Sequence, residues 1–149
     1  MVQKIKPLAS LSGVGGILCH GAFDVLHIGH IRHLEAARAL HPEGPLTVTI
    51  TADAFIHKGL GRPIFPAADR AHCLAALACV DNVAICHEST GLSAIETIRP
   101  RLYVKGKEYE QASGISAMER ELVLQQGGQV AYTDRWHSTT RILEKLNAI

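Results

Sequence analysis

The chain has 149 residues, of which 47% are hydrophobic and 19% charged, with a formal net charge of +1. That length suits a single domain over 1–149 with a sizeable core. The near-neutral balance argues against a broad grip on nucleic acid, while leaving room for a local anion pocket.

"GGILCH" (15–20) reads as a short buried strand, followed by the turn "GAFD" and a helix over 28–40 with Leu34, Ala37 and Leu40 at helical spacing. "HPEGP" breaks that helix, and "LTVTIT" (46–51) is a β-branched strand. A loop over 58–66, punctuated by glycines and prolines, leads to a helix over 67–80 with Leu74, Leu77 and Ala78 facing inward. A strand at 82–86 precedes a helix at 93–99 that Pro100 stops. A strand at 101–106, a helix at 116–126 closed by Gly127 and Gly128, and a strand at 129–133 follow. A final helix over 138–149 starts at Ser138 as N-cap.

Strands alternating with helices predict an α/β fold of βαβ units: a doubly wound, mainly parallel sheet with helices on both faces. In such sheets ligands sit beyond the carboxyl ends of the strands, where strand order reverses. "GAFDVLHIGH", "TADAFIHK", "VKGKEY" and "TDRWHSTT" all fall on that rim. The longest apolar run, Cys73 to Val80, is about eight residues, against roughly 20 for a bilayer span. The N-terminal stretch lacks a signal-peptide core, and the expectation is a cytoplasmic protein without a membrane partner. Four cysteines without CxxC spacing predict buried free thiols.

The histidines of "GAFDVLHIGHIRHL" need a reason. Gly21, directly after the first strand, lets backbone amides approach a ligand. The helix beginning near His27 offers free N–H groups and a partial positive charge, which together favour phosphate. His27 and His30 project from that first turn as donors without a fixed charge, and Gly29 leaves room between them. This suits phosphoryl or nucleotidyl transfer, where a protein mostly positions groups and neutralises charge. A metal site of histidines with Asp24 is the competing reading. His33, further round the helix, reads as a packed or surface residue. Asp24 reads equally as the holder of an Asx turn or as a group near a metal ion.

The same stretch resembles the GxFDxxHxGHxxxL signature of the HxGH nucleotidyltransferases. The similarity extends over about residues 16–146 and is longest with the adenylyltransferase part of the bacterial heptose kinase/adenylyltransferases. "GRPIFPAADRAHCLAALACVDNV", "VKGKEY" (VKGGDY in the heptose enzymes) and "STTRIL" carry it further, in the same order. The resemblance implies a three-layer Rossmann-like fold and transfer of a nucleoside monophosphate from a nucleoside triphosphate, with Mg²⁺. It implies catalytic roles for His27, His30, Lys58 and Arg70, the last two on the triphosphate. It implies nucleotide contacts at Gly21, Ala22, Phe23, Asp24, Gly29, Lys105, Gly106, Glu108, Ser138, Thr139 and Thr140. Relatives with this fold commonly pair, so a homodimer is expected. Two departures stand out. Lys107 and Glu108 replace a glycine and an aspartate near the base. Trp136 and His137 precede the STT where the heptose enzymes have a glycine and a tyrosine. Lys107, Arg135 and Trp136 are therefore candidate contacts to a second substrate. The implied pair is ATP with a heptose-type sugar 1-phosphate. CTP with glycerol 3-phosphate is the alternative, and a non-catalytic nucleotide-binding module the rival of another class.

Overall fold

The computed structural model describes residues 2–134 and 138–148. Five parallel strands form one sheet in the order β3-β2-β1-β4-β5. They are β1 (Ile17–Gly21), β2 (Leu46–Thr51), β3 (Asn82–Cys86), β4 (Leu102–Gly106) and β5 (Gln129–Thr133). The helices are α1 (Ile28–Leu40), α2 (Ala67–Ala75), α3 (Leu92–Ile98), α4 (Ile115–Gln125) and α5 (Thr139–Asn147). No described helix is long and apolar enough to cross a membrane.

Period-2 alternation splits the core between the two faces. Ile17 and Cys19 of β1 join Val48 and Ile50 under Leu34 and Ala37 of α1 and Ala71 and Leu74 of α2. Leu18 points the other way and packs with Ala84, Tyr103, Ile95 and Ile98 of α3 and Val123 of α4. This is the three-layer, doubly wound arrangement that the alternation of elements implies.

Several boundaries differ from the sequence expectation. β1 starts at Ile17, because Gly15 and Gly16 hold φ of 70° and 66°. A Cβ on Gly16 would lie 2.3 Å from the Pro45 carbonyl oxygen, so only glycine fits this approach. α2 stops at Ala75, five residues early. Asp81 pins the chain to the start of β2 through both its N–H, donating to Leu46 O, and its carboxylate, accepting from Leu46 N. Arg38 pairs with the same carboxylate. The apolar residues after Ala75 therefore turn back to the sheet, leaving Leu77 half-buried and Ala78 exposed. Leu40 is 54% exposed at the end of α1 and takes no part in the core. Cys19 and Cys86 are buried thiols and Cys79 is half-buried, but Cys73 lies on the outer side of α2, exposed.

A carboxylate sits inside the second core. Glu119 is 5% exposed and accepts from the Tyr103 hydroxyl at 2.8 Å and from Gly91 N–H at 2.8 Å. Tyr103→Phe removes one of these donors and keeps the ring. The expected loss is about 1–3 kcal/mol of unfolding free energy, the cost of an unmet buried acceptor. Urea denaturation measures it, and an unchanged midpoint would mean that water replaces the hydroxyl freely.

Candidate active site

The site follows from where the sheet splits. β1 pairs with β2 along its whole length, from Ile17–Leu46 to Gly21–Ile50. With β4 it pairs only at Ile17–Leu102 and Leu18–Tyr103. Beyond those residues the two strands separate, and the crevice opens at the point where strand order reverses. Lys105 spans the gap, its Nζ donating to His20 O at 3.3 Å. A cavity of about 330 Å³ fills the crevice.

One rim is the turn after β1. Phe23 and Val25 both hold φ of 49°, a region that costs a branched side chain most. The turn is held from below. The buried Asp24 carboxylate accepts from Arg62 Nε at 2.8 Å, Ile64 N at 2.8 Å and Phe65 N at 3.1 Å. Those bonds overcome the upward push of burial and keep its pKa below the usual carboxylate value. Asp24 O accepts from the Thr139 hydroxyl at 2.8 Å. Arg70 lies beneath, its side chain 1% exposed. Its guanidinium donates to Ala22 O, Thr51 O, Phe65 O and Asp53 Oδ1 at 2.6–2.9 Å.

Neither residue lines the cavity. Arg70 is a buried brace among carbonyls, absent from the cavity wall. Asp24 ties residues 62–65 to the turn, so neither the local Asx turn nor an open metal ligand describes it.

The first turn of α1 is capped by imidazoles. His27 Nδ1 accepts from Gly29 N–H at 3.0 Å, and His30 Nδ1 accepts from His27 N–H at 3.3 Å. The rings stack with centroids 3.9 Å apart. A backbone N–H aimed at each Nδ1 puts the proton of the neutral ring on Nε2. His30 lines the cavity, so its Nε2–H is a donor there; His27 backs it outside the wall. Burial, then the charges of His27, His33 and Lys58, push the His30 pKa down to about 3.

Other expected residues divide cleanly. Gly21, Ala22, Phe23 and Gly29 line the cavity from the α1 side. Lys58 reaches it from the loop after β2, Lys105 and Gly106 from β4, and Glu108 from the helical turn that follows β4. Ser138, Thr139 and Thr140 close it at the start of α5. Ser138 is the N-cap, its Oγ accepting from Arg141 N at 3.2 Å. Two helix starts, α1 and α5, therefore meet at one cavity. Lys107 is exposed and off the wall. Arg135 and Trp136 lie outside the described residues.

Sequence reasoning left out His20, His33, Tyr109 and Asp134, all in the wall. His33 Nδ1 is hydrogen-bonded to Thr133 Oγ1 at 2.6 Å, and His20 Nδ1 to Thr49 Oγ1 at 2.8 Å. Burial and then Lys105 push His33 down to about 4 and His20 down to about 3. The signal for His33 was its place one turn after His30 on the same face. His20 faces the opposite side of the sheet, one residue before the glycine.

A doubly wound sheet with an imidazole-lined cavity at its switch point, where two helices begin, is the architecture of a nucleotide-binding enzyme. Residues 18–145 match the model of the cytidylyltransferase-like family, and the chain belongs to that family, within the nucleotidyltransferases. The bifunctional protein HldE of Geobacter sulfurreducens is 39% identical over 96% of this chain. That of Methylococcus capsulatus is 40% identical over 87%. The chain spans only 31% and 28% of those two proteins. Among solved structures, a lipopolysaccharide core biosynthesis protein from Thermoplasma volcanium shares the fold with a TM-score of 0.64 at 23% identity, over 83% of this chain and 98% of that one. A pantothenate synthetase from Thermus thermophilus does so with a TM-score of 0.57 at 16% identity, over 91% of this chain and 63% of that one.

The histidines make stability depend on pH. In the unfolded chain each ring titrates near 6.5; folded, His20, His30 and His33 stay neutral to about 3, 3 and 4. Unfolding takes up protons below pH 6.5, so this stability is full above that pH and is lost as pH falls toward 4 for His33 and toward 3 for His20 and His30. Each ring contributes up to about 1.4 kcal/mol per pH unit before solvent screening. His33→Gln should flatten the fall in urea midpoint between pH 6.5 and pH 5. An unchanged slope would show that this ring titrates normally in the fold.

Proposed function

We propose that the chain transfers a nucleoside monophosphate to the phosphate of a sugar or polyol and releases pyrophosphate. The nucleoside triphosphate enters as its magnesium complex, the metal riding on the phosphates as part of the substrate. ATP with a heptose-type sugar 1-phosphate is the preferred pair, supported by the similarity to the HldE proteins. The observation that carries the reading is His30, its Nδ1 taken up by the His27 N–H, in one wall with Lys58 and the starts of α1 and α5.

An oxygen of the acceptor phosphate forms a bond to the α-phosphorus as the bond to the bridging oxygen breaks. The electron pair leaves with pyrophosphate. No covalent enzyme intermediate is needed. The chain's own groups orient the triphosphate and meet the charge that develops. The His27 ring, stacked behind His30 and bonded to Gly29 N–H, fixes the direction of that donor.

CTP with glycerol 3-phosphate remains the second reading, favoured by the wall at Gly106 and Glu108. Glu108 folds back over Gly106, where a Cβ would lie 2.5 Å from Glu108 Oε2. A carboxylate there meets a base edge differently from the shorter aspartate of the heptose enzymes.

A panel of phosphorylated sugars and polyols against ATP and CTP, read by pyrophosphate release, tests the proposal. Release with ATP and a sugar 1-phosphate is expected. Release only with CTP and a polyol phosphate supports the second reading, and nucleotide binding without release supports the non-catalytic one. With the active pair, His30→Ala should lower kcat by roughly 10²-fold, the scale of one preorganised donor. A normal kcat with only a raised KM would contradict a transition-state role. Glu108→Asp should shift the ATP/CTP ratio of kcat/KM by about five-fold or more, while Lys107→Gly leaves it within about two-fold. Equal ratios in both variants would remove Glu108 from the base site.

A further inference from the structure

The cavity straddles the end of β1, and its two sides are built differently. The α1 side presents His30, Gly29 and the start of α5. The α3/α4 side presents His20, Lys105 and Tyr109. Alternation along β1 and β4 dictates this: Leu18 and Tyr103 face α3 and α4, and two residues on, His20 and Lys105 do the same.

Lys105 has few partners for a lysine enclosed by the sheet. Among the described residues its ammonium makes one hydrogen bond, to His20 O at 3.3 Å, and it stands 4.6 Å from the Tyr109 ring centre and 5.8 Å from that of Tyr103. Among the described residues no carboxylate oxygen lies within 4 Å of it. Glu119 shares this side, but its two oxygens already accept from Tyr103 and Gly91. An ammonium has three donors. Holding such a charge away from water is costly without an anion beside it, and burial indeed lowers its pKa. Ring faces and one carbonyl hold it in place, while Glu119 and Glu108 act on it only from beyond ion-pair distance.

The reaction brings two phosphate-bearing substrates into one cavity. The helix starts and Lys58 form one anion-attracting side. We propose that Lys105, seated across the β1–β4 crevice on the His20 carbonyl, binds the phosphate of the acceptor and thereby governs which acceptor is used. The acceptor's identity rests on the nucleotidyl-transfer reading; the anion site itself does not. It also moves Lys105 from the nucleotide, where the family resemblance puts it, to the second substrate.

Calorimetry on the full chain tests this with four probes: a non-hydrolysable ATP analogue, mannose 1-phosphate, glycerol 3-phosphate and inorganic phosphate. Lys105→Met should weaken the tightest of the three phosphates about ten-fold or more and leave the analogue's Kd within about two-fold. Lys105→Arg, which keeps the charge, should retain most of the phosphate affinity and guards against a folding defect in the first variant. Loss of analogue affinity with phosphate affinity intact would overturn the proposal. So would no change in either, or no binding of any of the three phosphates to the unaltered chain. An unaltered chain that binds a phosphate but not the analogue would sink the nucleotidyl-transfer reading instead. The Lys105→Met comparison would still decide the anion site.

Discussion

Everything in this site hangs on two buried charges that the protein's own backbone and side chains surround. Asp24 gathers Arg62, Ile64 and Phe65, and Arg70 gathers Ala22, Thr51, Phe65 and Asp53. Either charge alone would be costly to bury; each is stable because hydrogen bonds meet it on several sides. Between them they clamp the turn after β1 onto residues 62–65. That clamp is what allows Phe23 and Val25 to stay at positive φ. Strain of about 1–3 kcal/mol per such residue persists only where the surroundings over-determine it.

The consequences run outward from the clamp. The turn delivers the chain into α1 with His27 as cap, and the cap aligns the two rings. Asp24 O draws in Thr139 and with it the start of α5. The loop clamped by Asp24 is the one that presents Lys58. The separation of β1 from β4 then supplies the space these groups surround. His20, His30 and His33 hold no permanent charge near neutral pH. The Nδ1 atoms of the four rings are occupied within the protein, by backbone N–H groups for His27 and His30 and by threonine hydroxyls for His20 and His33. The wall thus offers aimed donors, and its fixed positive charge is left to the lysines.

Much of this was legible in the sequence, and what was not has physical causes. The β-branched run at 46–51 and the periodic run at 28–40 specify their elements locally, and both sit where the pattern puts them. The run after Ala75 looks equally helical, but a long-range bond between Asp81 and Leu46 decides its path. The inward turn of Arg70 was hidden for a related reason: one sequence does not say whether a guanidinium on a helix points outward or inward to carbonyls. His33 and Thr133 are 100 residues apart, and His20 and Thr49 29 apart. Their pairing depends on the sheet order β3-β2-β1-β4-β5, which brings the strands and helices together at one rim. Ser138, by contrast, is a local cap, and its role at the start of α5 was readable from the chain itself.

The central claim is that nucleotide phosphates rest on His30 and the two helix starts while Arg70 holds the turn beneath them. A crystal structure with a non-hydrolysable nucleoside triphosphate tests this most directly. The account predicts phosphate oxygens within hydrogen-bond distance of His30 Nε2 and of backbone N–H groups at the starts of α1 and α5. It also predicts that the Arg70 guanidinium keeps its bonds to Ala22 O and Thr51 O. A triphosphate bound to an Arg70 side chain swung away from those carbonyls, with His30 untouched, would contradict it.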